Sequence, residues 1–227
     1  MNKFSETSKE ISIVIPVHNE EENIESLLDN IFNSMKNSVN FEVIIVNDGS
    51  SDHTEEKILN LKDNYSGISY IKHTYQSGQS SALISGVENA KFDWILTLDG
   101  DGQNDPNDID KFILLRDKIA NDKLLLAGYR KLRQDSFYKK LQSKFANKVR
   151  AFILKDNTPD TGCGIKLFNK KLFNRALSNL ITSLTSTFKK AGSGNFPIEE
   201  LVKSFSYDLE DCFTNIYYTF DSEITKK

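Results

Sequence analysis

Two carboxylates one residue apart, Asp99 and Asp101, close the apolar run Trp94-Ile-Leu-Thr-Leu98 and open the stretch Asp99-Gly-Asp101-Gly-Gln103-Asn-Asp-Pro106. A run of this kind reads as a buried strand, and strands of open α/β sheets deliver functional groups at their carboxyl ends. In extended backbone, side chains two apart share a face, so both carboxylates are expected on one side. Gly100 between them leaves room for a ligand to approach the main chain. Like charges held together repel each other unless a cation lies between them, and a divalent metal bound to phosphate supplies that charge. Mg²⁺ and Mn²⁺ take hard oxygen ligands and usually keep phosphates and water in their shell. The stretch therefore predicts a metal–diphosphate site. The same letters also suit a solvated Asp-Gly turn. A calcium loop does not fit: counted from Asp99, Asn104 and Asp110 stand where that loop requires glycine and glutamate.

Such groups need a scaffold, and the chain alternates strands with helices. Residues 11–15 are mostly β-branched and end at Pro16. Asn19 and Glu22 stand at capping-box spacing, and Ile24, Leu27, Leu28, Ile31, Phe32 and Met35 then recur with helical period. A second strand, 41–46, runs into Asn47-Asp48-Gly49-Ser50-Ser51-Asp52, where Asp52 and Glu55 predict the cap of a helix reaching about Leu61. Residues 68–71 read as a third strand. Residues 79–90 carry Ser80, Ser81, Ala82, Ser85, Gly86 and Ala90, which predicts a helix lying close to a sheet or ligand. Asp105-Pro106 is an N-cap with proline at N1 for a helix through Ile109, Phe112 and Ile113, and 124–127 form a fifth strand. The alternation predicts an α/β fold with a mostly parallel central sheet and helices on both faces. Neither the Gly-Lys-Ser/Thr phosphate loop nor the Gly-x-Gly-x-x-Gly fingerprint occurs, so a nucleotide, if bound, is held another way.

Composition sets the outer limits. The 227 residues are 38% hydrophobic and 27% charged, which suits one globular domain with a short appendage. A net charge of −3 gives no general attraction for nucleic acid. Cys163 and Cys212 lack metal-ligand spacing and are too few for a disulfide framework, which points to a reducing compartment. Residues 1–10 are polar, and no run approaches the ~20 apolar residues of a membrane span, so a soluble or peripheral protein is expected. Residues 130–155 are lopsided, with nine basic residues against the single acid Asp135. Tyr138, Leu141, Phe145, Val149 and Phe152 recur through them at roughly helical spacing. A basic amphipathic helix facing phosphate or an anionic membrane is the expectation, although a solvated lysine face is the commoner meaning of a charge run.

Four motifs stand in one order: Ile15-Pro16-Val17-His18-Asn19-Glu20-Glu21, Val46-Asn47-Asp48-Gly49-Ser50-Ser51-Asp52, Leu98-Asp99-Gly100-Asp101-Gly102-Gln103, and Asp160-Thr161-Gly162-Cys163-Gly164-Ile165-Lys166-Leu167-Phe168. Together they resemble the inverting family 2 glycosyltransferases of the GT-A fold. Within these, the likeness is to the dolichol-phosphate mannose synthase and polyprenyl-phosphate glycosyltransferase branch, over about residues 10–175. The resemblance implies a tail at 1–10, a GT-A domain at 11–175 and a divergent C-terminal segment at 176–227. The family's His-Arg pair and Arg/Lys-rich closing loop have no counterpart after Phe173. It further implies a hexosyltransferase moving a sugar from a GDP- or UDP-linked donor to a dolichyl or undecaprenyl phosphate. The expected place of action is the cytoplasmic face of a membrane, as a peripheral protein and without nucleic acid.

Roles follow from the same resemblance. Pro16, His18, Glu20 and Asp48 are expected to hold the nucleoside, with His18 where the family has an aromatic residue and Asn47 where it has a first acid. Asp99, Gly100 and Gln103 join them on the nucleotide sugar, and Asp99, Asp101 and Gln103 are the expected ligands of Mg²⁺ or Mn²⁺. Asp101, Arg130 and Asp160 are the catalytic candidates. Arg130 and Arg133 are expected at the diphosphate and acceptor phosphate, with Ser143 and Lys144 on the acceptor side. A lipid phosphate is already ionised at neutral pH and needs no general base, whereas a sugar hydroxyl does, and Asp160 would supply it. Asp160 equally suits the cap of the turn before Gly162. His53 and His73 read as ordinary surface or packing residues. Two other functions stay open: a family 2 enzyme acting on a glycan hydroxyl, and a non-catalytic nucleotide-sugar binder lacking the closing loop.

Overall fold

Strand β1, Glu10–Val17, organises the sheet, because its β-branched run is buried on both faces. Ile11, Ile13 and Ile15 point one way while Ser12 and Val14 point the other, and all five are inaccessible to solvent. Both faces are therefore covered, as in sheets built by helical crossovers. The computed structural model describes residues 10–36, 39–130, 163–191 and 219–222. They belong to two units, Met1–Asp122 with Gly164–Lys170, and Lys123–Cys163 with Lys171–Lys227.

In the first unit the chain runs from β1 through α1 (Ile24–Met35), β2 (Asn40–Asn47), α2 (Thr54–Asn64), β3 (Ile68–Lys72), α3 (Gln79–Asn89), β4 (Trp94–Thr97), a 3₁₀ turn at Pro106–Asp108 and α4 (Ile109–Ile119) to β6 (Lys166–Asn169). Its strands lie in the order β3-β2-β1-β4-β6. The first three pairings are parallel and β4–β6 is antiparallel. Parallel neighbours put the ends of β1, β2 and β4 on one edge, which is where the sequence motifs fall. Helix α3 packs on β1 and β2. A Cβ on Gly86 would overlap Val14 Cγ1 and come within 3.2 Å of Val46 Cγ2, so the small residues of 79–90 serve the approach to the sheet. Arg116 of α4 is fully buried, its Nε donating to Asp117 Oδ1 (2.8 Å) and its guanidinium 5.5 Å from the Trp94 ring. In the second unit β5 (Leu125–Arg130) pairs in parallel with β7 (Thr219–Ser222), and α5 spans Lys170–Ala191.

Two expected caps differ. Asn19 does not cap α1: it sits at φ +55 and the helix starts at Ile24, after a turn closed by the Asn23 and Ile24 N–H groups on the Glu20 carbonyl. Asn19 instead bridges loops, its N–H donating to Ser50 Oγ (3.0 Å) and its Oδ1 accepting from the Ser51 N–H (2.8 Å). Asparagine tolerates the left-handed region better than most residues, which suits it to this corner. Asp52 accepts from the N–H groups of Thr54 (3.0 Å) and Glu21 (3.3 Å), while Glu55 pairs with Lys72. Glu21 in turn receives the His53 N–H (2.9 Å). The two loops bond to each other because parallel neighbours place them side by side.

Candidate functional site

A cleft of about 320 Å³ opens at the edge where β1, β2 and β4 end. Pro16, Val17, His18 and Glu20 line it from the β1 end, Asp48 from β2, Gln76 and Gln79 from the loop into α3, and Asp99, Gly100 and Asp101 from β4. Of the candidates read from the sequence, Pro16, His18, Glu20, Asp48, Asp99, Gly100 and Asp101 thus come together. Gln103 is not on this wall: its N–H donates to Asp101 Oδ1 (3.0 Å) and its side chain is exposed. Arg130 closes β5 in the second unit, and its side chain lies outside the described residues. Arg133, Ser143, Lys144 and Asp160, with the expected basic helix of 130–155, also lie outside them.

The carboxylates reach the cleft by another path than the one expected. Strand β4 stops at Thr97 and Asp101 lies in a turn, so extended-backbone geometry does not align it with Asp99. The space beside Gly100 is used by protein: a Cβ there would meet Val17 Cγ1 at 2.7 Å and the Pro16 carbonyl at 3.1 Å. Asp99 Oδ1 accepts from Gln79 Nε2 at 2.8 Å. On the chain's return, Gly164 lies so close that a Cβ on it would overlap the Asp99 carboxylate, and its carbonyl accepts from Thr97 Oγ1 (2.7 Å). The glycine of the last motif is there to seat an acid.

The β1 and β2 ends are tightly bonded. His18 Nδ1 donates to the Asp48 carbonyl (2.9 Å), and its Nε2 stands 3.3 Å from Asn19 Nδ2. Asn47 is buried as an amide because it needs both kinds of partner: Nδ2 donates to the Tyr70 hydroxyl (3.0 Å) and Oδ1 accepts from the Ser50 N–H (2.9 Å). Burial pushes the Asp48 carboxyl up, but the N–H groups of Ser77 and Gly78 and the His73 ring outweigh it and hold the group below its ordinary value. His73 is thus no surface residue, being 14% exposed and bonded to Asp48 at 2.7 Å. His53 is exposed beside Glu56, as expected.

Whether these groups suit a divalent cation turns on the donor set. Among the described residues no three His, Cys, Asp or Glu side chains converge as a cage. Two hard carboxylates, Asp99 and Asp101, open on one cleft. Mg²⁺ and Mn²⁺ are commonly held by one or two carboxylates with substrate phosphates completing the shell, so the donor set fits such an ion together with a diphosphate.

The sequence reading overlooked Gln76, Gln79, His73 and the seat at Gly164. A signal existed for the first two: in a parallel sheet each helix following a strand begins beside the same edge, so the loop before Gln79 had to border the cleft.

Comparison with known proteins adds the following. A family profile described as glycosyl transferase family 2 matches residues 12–177. The chain is 29% identical, over 94% of its length and 70% of the relative's, to an undecaprenyl-phosphate 4-deoxy-4-formamido-L-arabinose transferase of Proteus mirabilis. A protein of the same description from Serratia proteamaculans is 27% identical, over 92% of this chain and 69% of its own. Among solved structures, a mannosyltransferase of Pyrobaculum calidifontis in complex with GDP-Man and Mn²⁺ superposes with TM-score 0.53 at 20% identity, covering 73% of this chain and 46% of that one. Glucosyl-3-phosphoglycerate synthase of Mycobacterium tuberculosis, with Mn²⁺, UDP and phosphoglyceric acid, gives TM-score 0.58 at 19% identity, covering 73% and 57%. The chain spans about half the length of these two structures. The likeness in shape shows the GT-A fold. No described helix is long and apolar enough to cross a membrane.

Proposed function

The chain belongs to glycosyl transferase family 2, and from that premise we propose that it transfers a sugar, with inversion, from a GDP- or UDP-linked donor to a polyprenyl phosphate at the cytoplasmic face of a membrane. The observation that carries the reading is the single cleft that gathers Pro16, His18, Glu20, Asp48, Asp99 and Asp101. We assign its β1–β2 side to the nucleoside and its β4 side to the diphosphate. Relatives described as undecaprenyl-phosphate transferases support the lipid acceptor.

The roles divide by chemistry. Pro16, His18, Glu20 and Asp48 border the base and ribose, where ring faces and hydrogen-bond acceptors are wanted. Asp99 and Asp101, with Gln103 adjoining, would hold a divalent cation on the diphosphate side of the cleft. When bound, that cation neutralises charge on the departing nucleoside diphosphate. Neighbouring structures holding Mn²⁺ support this assignment, with Mg²⁺ the other hard cation suited to it. Arg130 and Arg133 are assigned to phosphate oxygens, for which the guanidinium fork is well shaped, and Ser143 and Lys144 to the acceptor side. An ionised lipid phosphate attacks the anomeric carbon through its own oxygen, so no residue need take a proton; Asp160 is the base only for a hydroxyl acceptor.

The test is transfer from radiolabelled UDP- and GDP-sugars to undecaprenyl phosphate in detergent, with Mn²⁺, Mg²⁺ or EDTA. Butanol-extractable label that depends on a divalent cation is the expected product. Transfer only to glycan hydroxyls, abolished by Asp160→Asn, would replace the lipid acceptor. Tight nucleotide binding without transfer to either would make the chain a binder.

A further inference from the structure

Asp48 is bonded more fully than a residue reserved for ligand would be. A carboxylate offers about four lone-pair positions, and three of them are filled from within the chain. Oδ1 accepts from His73 Nδ1 (2.7 Å) and the Ser77 N–H (2.9 Å), and Oδ2 from the Gly78 N–H (2.7 Å). All three donors belong to one loop, 73–78, between β3 and α3. Since the Asp48 carboxyl is ionised, Nδ1 carries the ring proton. The ring's Nε2 lies within hydrogen-bond distance of Ser85 Oγ (3.0 Å), which ties the loop to α3 from its far side. The side chains of His73 and Asp48 are 14% and 5% exposed. Gly49 adds a backbone contact: a Cβ there would lie 2.6 Å from Gln76 N, and its φ of +69 favours glycine in any case. The loop so fastened carries Gln76 into the cleft wall and delivers Gln79, whose amide donates to Asp99.

We propose that His73 is a positioning residue for nucleotide binding: with Asp48 it clamps the 73–78 loop, so that Gln76 and Gln79 stand as one wall of the cleft before any ligand arrives. The inference deepens the reading of the cleft as a nucleotide-sugar site and rests on it. Asp48 serves the nucleoside mainly by building that wall. A wall already ordered spares the ligand the entropy of ordering it. Loss of the clamp therefore weakens donor binding, in ground state and transition state alike, and leaves the chemical step nearly unchanged.

Two substitutions separate the clamp from mere packing. His73→Phe keeps an aromatic ring and removes both side-chain bonds. His73→Asn keeps a donor near the position of Nδ1. Amide hydrogen exchange over 74–80 is read first, without nucleotide. Ser77 and Gly78 should exchange at least about tenfold faster in His73→Phe, the scale of one charge-assisted bond lost. His73→Asn should return them to within about threefold of wild type, since the bond to the carboxylate is kept. Calorimetry with Mn²⁺–UDP and Mn²⁺–GDP should give the same order of affinities, and the donor KM should rise in His73→Phe while kcat stays within about threefold.

Unchanged exchange in His73→Phe overturns the clamp, and faster exchange with unaltered affinity overturns its use in binding. Acceleration spread evenly over all strands, with KM unmoved, would show packing alone and also overturns it. Should wild type bind neither nucleotide, the reading of the cleft fails, while exchange still decides the clamp. If His73→Phe does not fold, Asp48→Asn takes its place: its amide sets a donor against a loop N–H, and the same local acceleration is expected.

Discussion

Gly164 and Asp99 form the tightest pairing at the site, and a single methyl tests it. Because a Cβ at 164 would overlap the Asp99 carboxylate, Gly164→Ala must turn the acid or push the return strand away. Overpacking of this kind costs about 1–3 kcal/mol. The expected result is a lower urea midpoint together with loss of most metal-dependent transfer. Asp101→Ala should remove most of the Mn²⁺-dependent part of nucleotide affinity and leave the fold intact, because the residue lies in a turn and is only half-buried. Equilibrium binding with Mn²⁺ and with EDTA reads this directly; equal affinity in the two conditions for wild type would refute the site. Acid pairs were legible from residue types alone. His73 was not, since its meaning comes from Asp48, 25 positions away in sequence.

Among the elements, α3 was expected close to a sheet or a ligand; it packs on the sheet, and the reason is specific. Gly86 sits where the helix crosses Val14 of β1 and Val46 of β2. Gly86→Ala gains up to ~1 kcal/mol in helix propensity, yet the methyl would strike Val14, and overpacking of about 1–3 kcal/mol outweighs it. Chemical denaturation should show net destabilisation, whereas an exposed helical glycine would show the opposite. The caps of α1 and α2 went differently from their local signals. Asn19 and Asp52 had the right types and spacing for helix starts, but Asn19 bridges to the adjoining loop and Asp52 divides itself between Thr54 of its own helix and Glu21 of the other loop. Local propensity yields wherever tertiary neighbours offer more bonds. Asn19→Ala should therefore be more damaging than Asn19→Gly in thermal unfolding, since alanine adds strain at positive φ to the lost bridge.

For the molecule as a whole, acid stability follows from the two loops. Burial raises the Asp48 and Asp52 carboxyls. For Asp48 the Ser77 and Gly78 N–H groups with His73, and for Asp52 the Thr54 hydroxyl and N–H with the Glu21 N–H, more than offset that rise. Both groups lie below the ordinary 3.8. A depressed folded-state value stabilises fully above the unfolded value and is lost as pH falls through the folded one. Urea midpoints should thus drop as pH falls below about 4, and less steeply once Asp48 and Asp52 are both asparagine. The excess of positive charge at 130–155 makes a separate prediction: the full chain should sediment with anionic vesicles at low salt and release at high salt, as screening shortens the reach of its lysines.

The sequence by itself determined the alternation of strand and helix, the mostly parallel sheet, and the motifs that must meet at one edge, because hydrophobic period and strand ends are local properties. Tertiary structure decided how the groups around the cleft are bonded to one another. The crossing of α3 over β1 and β2 sets Gln76 and Gln79 on the cleft wall, His73 bonds to Asp48, and the antiparallel return of β6 beside β4 brings Gly164 against Asp99. Bonds between loops distant in the chain depend on where the sheet sets them side by side, and no spacing in the sequence encodes that distance.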